Sequence, residues 1–210
     1  MVKELSNVKS AGSCSSRLIS GNYEEYEILE NKLANYLNFE SCVYYSSGFM
    51  ANLGLITALV RRSDIVVSDK FVHASLIEAI KLSGAKNYRF KHNDLNHCEL
   101  FLKKIKRKEN QNIFIIVESL YSMQGDSPDL NQILELIKKY DAYLIVDEAH
   151  ALGVYGPGIL ETRNDRIFMT ATASKALGSY GGIVAGPKCC LLYTSPSPRD
   201  ATLSRMPSSA

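Results

Sequence analysis

Tyr143-Leu144-Ile145-Val146-Asp147-Glu148-Ala149-His150 opens as an unbroken apolar run and closes on two acids and a histidine. A short apolar run with no polar alternation suits a strand covered on both faces, as in a parallel sheet. Ile113-Phe114-Ile115-Ile116-Val117 has the same character, and a helical pattern from Leu130 to Tyr140 lies between the two. Further upstream, strands at residues 43–45, 65–68 and 87–90 alternate with helices. One helix follows the Ser47-Gly48-Phe49 turn and runs through Leu59, one spans Ala74 to Leu82, and one runs from Asp94, an N-cap, to about Arg107. An amphipathic helix precedes them all, with Tyr26, Leu29, Leu33, Tyr36 and Leu37 on one face and Glu24, Glu25 and Glu27 in its first turn. Repeated strand–helix alternation predicts an α/β fold with a mainly parallel central sheet. In such sheets ligands bind beyond the carboxyl ends of the strands. The polar residues at those ends are Ser47, His73, Glu118, Ser122, Asp147, His150 and Lys175, which are expected to share one crevice.

The bulk composition narrows the choice of function. With 210 residues, 46% hydrophobic and 22% charged, the chain has the make-up of a soluble globular protein. A net charge of +2 gives no argument for nucleic acid. The one basic run, Lys103-Lys104-Ile105-Lys106-Arg107-Lys108, reads as the solvated end of a helix. Five cysteines, Cys14, Cys42, Cys98, Cys189 and Cys190, are odd in number and lack metal-ligand spacing, which predicts a reducing compartment and no metal site. Neither a membrane-length apolar run nor a signal-peptide core occurs, so a cytoplasmic location is expected.

Thr170-Ala171-Thr172-Ala173-Ser174-Lys175-Ala176-Leu177-Gly178-Ser179-Tyr180-Gly181-Gly182 sets one lysine among small residues. A lysine amine becomes a nucleophile toward aldehydes when its surroundings favour the neutral form. Pyridoxal phosphate needs such a lysine, an acid at its ring nitrogen, a phosphate cup and a group on its ring face. Lys175, Asp147 and the Ser47-Gly48-Phe49 turn supply the first three, and His150 can reach the phenolic oxygen. The turn serves as an anion site because the first N–H groups of a helix have no internal partner. Asp147-Glu148-Ala149-His150 is also the motif of DEAH-type helicases. Those need a Gly-Lys-Ser/Thr phosphate loop, and no Gly-Lys dipeptide occurs here.

Taken together, the chain from Gly12 to about Lys188 resembles the α-oxoamine synthases of the fold-type I pyridoxal phosphate enzymes. The resemblance rests on residues 16–22, Ser47-Gly48-Phe49-Met50-Ala51-Asn52, His73-Ala74-Ser75, Glu118-Ser119-Leu120-Tyr121-Ser122-Met123, Asp147-Glu148-Ala149-His150 and Thr172-Ala173-Ser174-Lys175-Ala176-Leu177-Gly178. It implies the large domain of that transferase fold. Lys175 is then the Schiff-base lysine, Asp147 the partner of the pyridine nitrogen, His150 the ligand of the phenolic oxygen and His73 the ring stacked on the cofactor. Ser47, Gly48 and Phe49 form the phosphate cup, Thr172 adds a hydroxyl and Ser122 also contacts the cofactor. Asn52, Glu118 and Arg17 are candidates for the substrate site. The implied reaction is a decarboxylative condensation of an amino acid with an acyl-CoA or acyl-ACP in a homodimer, with no nucleic acid or membrane partner. Asp147-Glu148-Ala149-His150, residues 118–123 and Lys91-His92-Asn93-Asp94-Leu95 look most like the branch that makes 8-amino-7-oxononanoate from L-alanine and a pimeloyl thioester. Glycine C-acetyltransferase, 5-aminolevulinate synthase and serine palmitoyltransferase are the alternatives. Some family members are partner subunits without the lysine, a role that Lys175 argues against.

Several departures from the family pattern stand out. Gln124 replaces an acid, and Gly156-Pro157-Gly158-Ile159-Leu160 lacks a Gly-Arg-Gly ending, which puts the contacts of that loop in question. The chain divides into an N-terminal loop region (residues 1–22), a partial cofactor-binding domain (23–189) and a tail (190–210). The last twenty residues hold three of the six prolines, read like translated adapter sequence and are expected to be disordered. The small C-terminal domain of the family, with its carboxylate-binding arginine, is expected to lie outside this chain. The chain is therefore expected to hold a cofactor cradle with an incomplete substrate site and to be inactive by itself.

Overall fold

A computed structural model describes residues 15–17 and 21–188 of the chain. The expectations for most of the N-terminal loop, for Cys14, Cys189 and Cys190, and for the tail lie outside the described residues. Helix α1 (Glu24–Leu37) leads into β1 (Ser41–Tyr45), α2 (Gly48–Leu59), β2 (Ile65–Asp69), α3 (Ala74–Ser83), β3 (Lys86–Phe90) and α4 (Leu95–Lys104). Then follow β4 (Ile113–Glu118), α5 (Leu130–Lys139), β5 (Tyr143–Asp147), β6 (Ile167–Thr172) and β7 (Gly182–Gly186). The seven strands form one sheet in the order β1-β7-β6-β5-β4-β2-β3. All neighbours pair in parallel except the two partners of β7, so β7 alone runs backwards. The predicted mainly parallel α/β architecture is what the chain adopts, with β7 as an addition that the sequence reading did not foresee.

Successive strand residues face opposite sides of a sheet, and the core divides accordingly. Ile113, Ile115, Val117, Leu144 and Val146 pack with Leu37 of α1, Cys98 and Leu102 of α4, and Ile133 and Leu136 of α5. Phe114, Ile116, Ile145 and Phe168 pack with Leu55 and Ile56 of α2 and with Leu76 and Ile80 of α3. β4 is buried along its whole length, as its unbroken apolar run requires. Each fully buried Leu, Ile or Phe contributes about 1.5–3 kcal/mol.

Two readings of local detail change. On α1 only Ala34 and Leu37 are buried, while Leu29 and Tyr36 are exposed, because the helix meets the edge strand β1 with its C-terminal half only. Helix α4 stops at Lys104 rather than near Arg107, because Ile105 turns extended and packs against the core. Only Lys103 and Lys104 of the basic run therefore sit at a helix end, and Arg107 pairs with Asp141 instead. Cys42 and Cys98 are free and buried, with burial as the first cause pushing each thiol up to about 12. Among the described residues no cluster suited to a metal occurs, and no helix is long and apolar enough to cross a membrane.

Candidate active site

Beyond the carboxyl ends of β1, β2, β4, β5 and β6 lies a cavity of about 240 Å³. Of the residues singled out in the sequence, Ser47, Gly48, Phe49, Asn52, His73, Glu118, Asp147, His150, Thr172 and Lys175 all line it. Ser122 and Arg17 do not. Tyr121 turns inward and is buried, leaving Ser122 exposed on the turn after β4. Arg17 grips both oxygens of Glu30 at 2.6 and 2.8 Å, reaches Asn22 and the Tyr44 carbonyl, and covers the Tyr26 ring. Its guanidinium is fully engaged in tying the N-terminal segment to α1 and β1.

The wall opposite the sheet is built from two helix starts. Ser47 caps α2 by accepting from the Met50 N–H at 3.2 Å, while the Gly48 and Phe49 N–H groups have no partner among the described residues. A Cβ on Gly48 would lie 3.0 Å from Thr172 Cβ, so the backbone here passes close against β6. His73 caps α3 through Nδ1, which accepts from the Ser75 N–H at 3.2 Å.

Asp147 forms the floor. Its Oδ1 accepts from the Ala149 N–H and its Oδ2 from Asn52 Nδ2, each at 2.9 Å. The same amide nitrogen donates to Ser75 Oγ at 2.9 Å, and Ser75 Oγ lies 2.7 Å from His73 Nδ1. Because the Ser75 N–H already requires Nδ1 to accept, the Ser75 hydroxyl donates as well and the ring proton of His73 sits on Nε2. Sequence reading missed Ser75 as the link, since nothing in His73-Ala74-Ser75 shows that the serine faces Asn52 on another helix. The buried Asn52 Oδ1 has no partner among the described residues.

Lys175 Nζ lies 2.6 Å from His150 Nε2. Desolvation lowers the Lys175 ammonium below its ordinary range, against the pull of Asp147 and Glu118. His150 is lowered first by desolvation and then by the charge of Lys175. Both shifts favour the neutral forms, which a nucleophilic amine requires. The Thr172 hydroxyl donates to the Gly181 carbonyl at 3.0 Å, which commits its proton to the backbone. Ser174, 2.9 Å from Thr172 and also lining the cavity, is a hydroxyl the sequence reading passed over.

Next to the floor, Glu148 is fully buried. Its carboxylate accepts from Ser119 Oγ and from the Ile159 and Leu160 N–H groups at 3.1 and 2.9 Å, with Gly158 packed against it. The loop whose contacts the missing Gly-Arg-Gly put in question is thus held through its backbone, which needs no particular side chain there.

A strand-end acid, a desolvated lysine and an open helix start on this sheet define a class. The chain belongs to the aminotransferase class I and II family, which it matches over residues 2–206. Within that family its relatives are α-oxoamine synthases. It is 42% identical over 184 residues to 8-amino-7-oxononanoate synthase of Herminiimonas arsenicoxydans, covering 83% of this chain and 47% of the relative. It superposes on a serine palmitoyltransferase from S. paucimobilis, solved with a bound PLP–myriocin aldimine, with TM-score 0.81 and 28% identity, over 91% of this chain and 51% of that one. Against 8-amino-7-oxononanoate synthase from Francisella tularensis the TM-score is 0.66 with 31% identity, over 87% of this chain and 51% of that one. The chain spans about half the length of the curated relatives it matches.

Proposed function

We propose that this chain is the cofactor-holding part of a pyridoxal phosphate-dependent α-oxoamine synthase, and that the whole protein joins an amino acid to an acyl thioester with loss of carbon dioxide. The observation that carries the reading is the meeting of Lys175, His150 and Asp147 in one cavity with the Gly48 and Phe49 N–H groups, which have no partner among the described residues.

The residues present fit the cofactor on their own chemistry. The Gly48 and Phe49 N–H groups and the positive end of α2 suit a phosphate, and the close approach of Gly48 to Thr172 leaves no room for a side chain between them. Asp147, an acceptor at the buried floor, suits a protonated ring nitrogen, and His150 suits a phenolic oxygen. When bound, pyridoxal phosphate supplies an electron sink for the α-carbon of an attached amino acid. This chain's own residues do the rest. Lys175, whose ammonium desolvation holds below its ordinary range, is the amine that attaches the cofactor and then moves the α-proton. His150, at hydrogen-bond distance, orients that amine. His73, with its proton fixed on Nε2, presents a donor from the wall of the cavity.

For the substrates, the 42% identity to 8-amino-7-oxononanoate synthase supports L-alanine and a pimeloyl thioester, carried on CoA or a carrier protein. The high TM-score to serine palmitoyltransferase favours, as a second reading, a longer acyl chain. A homodimer is proposed because Phe49, which lines the cavity, and Met50, Phe71 and Met123 leave apolar side chains exposed. The cofactor reading is tested by adding pyridoxal phosphate and recording the visible spectrum. A lysine-bound band that is absent from Lys175→Ala is expected, and its absence from the parent chain would overturn the reading. A panel of amino acids and acyl thioesters on the full-length protein then separates the branches.

A further inference from the structure

The cavity holds a second acid for which the reading above has no task. Glu118 and Asp147 stand opposite each other in the parallel register of β4 and β5, so their side chains leave the same face of the sheet. Both line the cavity and both are 5% exposed. Two carboxylates this close in a water-poor place are costly to charge together. Hydrogen bonds select which one keeps its charge. Each oxygen of Asp147 accepts an N–H, from Ala149 and from Asn52, an arrangement suited to an anion. Glu118 has the backbone N–H of His73, which by itself favours its charge but is a single donor against two for Asp147, and its own N–H goes to the Tyr121 hydroxyl. The other charged groups that face it are Lys175, which favours its charge from the exposed side, and Asp69 at the end of β2, which opposes it.

We propose that Glu118 is held as a neutral carboxylic acid beside Asp147 and offers its O–H to an oxygen of the bound substrate. The inference rests on the proposed cofactor reading only for the nature of that substrate. Burial first, then the charge of Asp147, push Glu118 up to about 8, which agrees with the geometric argument. The pair divides the work: Asp147 answers a cation at the floor, and Glu118 donates to a carboxylate or carbonyl oxygen above it. A neutral carboxyl group kept beside a charged one is a recurrent feature of sites that need both.

The protonation state is tested without any cofactor. Infrared difference spectra of the purified chain across neutral to alkaline pH should show a protonated-carboxyl band that disappears with a midpoint near about 8. The band should be missing in Glu118→Gln and should titrate at lower pH in Asp147→Asn, where the repelling charge is gone. A spectrum with no such band at neutral pH, a band that persists in Glu118→Gln, or a midpoint unmoved in Asp147→Asn overturns the proposal. Should a variant fail to fold, carbon-13 NMR of carboxyl-labelled glutamate in the parent chain decides alone, because one glutamate must titrate far above the rest. In the full-length protein, Glu118→Gln keeps an N–H donor and should hold the amino acid KM within a few-fold, whereas Glu118→Leu should raise it about tenfold. An unchanged KM in Glu118→Leu overturns the donor role. Failure of the cofactor reading shows instead as an absent lysine-bound band, with the titration unaffected.

Discussion

Among the described residues four helices follow a strand and cover the sheet, yet they start in two different ways. On one face, α4 and α5 begin at Asp94 and Asp129, whose carboxylates accept from the His97 and Gln132 N–H groups. These starts carry their own anion, and the positive helix end is satisfied within the chain. On the other face, α2 and α3 begin at Ser47 and His73, neither of which places a carboxylate at the start. The first face is built for stability. The second leaves the Gly48 and Phe49 N–H groups without a partner among the described residues, and it lines with His73 and Asn52 the cavity that Lys175 and His150 enter from loops beyond β6 and β5.

The largest effect expected from testing that contrast is at Lys175. Lys175→Ala should abolish the lysine-bound absorbance and covalent trapping by borohydride, since no other lysine among the described residues lines the cavity. A retained signal would mean that the open face is not the cofactor face. Next, Ser47→Asp puts into the open start the anion that the closed starts already carry. It should weaken pyridoxal phosphate binding about a hundredfold, measured by absorbance titration, while thermal stability holds, because a phosphate and a carboxylate compete for the same positive end. Unchanged affinity would remove the distinction between the two kinds of start.

A smaller effect concerns stability and pH. Glu118 binds its proton more tightly folded than unfolded, so unfolding releases that proton at neutral pH, and stability falls as pH rises from the ordinary glutamate range to about 8, then levels off. Denaturant titrations should show Glu118→Gln lacking this decline and gaining up to a few kcal/mol at neutral pH. The smallest effect lies on the closed face. Asp129→Ala should cost about 1 kcal/mol of stability and leave cofactor affinity untouched.

Much of the fold was legible because β4 and β5 are apolar up to their closing acids, and α4 and α5 carry plain caps at Asp94 and Asp129. β7 was missed because Gly182-Ile183-Val184-Ala185-Gly186 is short and glycine-bounded, and its reversal depends on the turn at Gly181, which takes a positive φ of 129°. Leu29 and Tyr36 fit an amphipathic pattern, but a pattern does not say how much of a helix meets the sheet. At the site, the sequence marked residues at strand ends by position alone. It could not tell that Arg17 would be taken up by Glu30, or that Ser122 would turn outward behind Tyr121.

Local chemistry thus determined the sequence-level features: the strand and helix order, the lysine among small residues, the acid closing β5 and the glycine opening α2. Each depends on neighbours within a few positions, and propensity and capping act at that range. Tertiary structure decided the rest. Only the parallel register of β4 and β5 places Glu118 beside Asp147, and only the packing of α2 against α3 brings Asn52 to Ser75 and so fixes the proton of His73. Charge repulsion and hydrogen-bond direction act through space over a few ångströms, between residues that in these cases stand 23 to 29 positions apart in the chain.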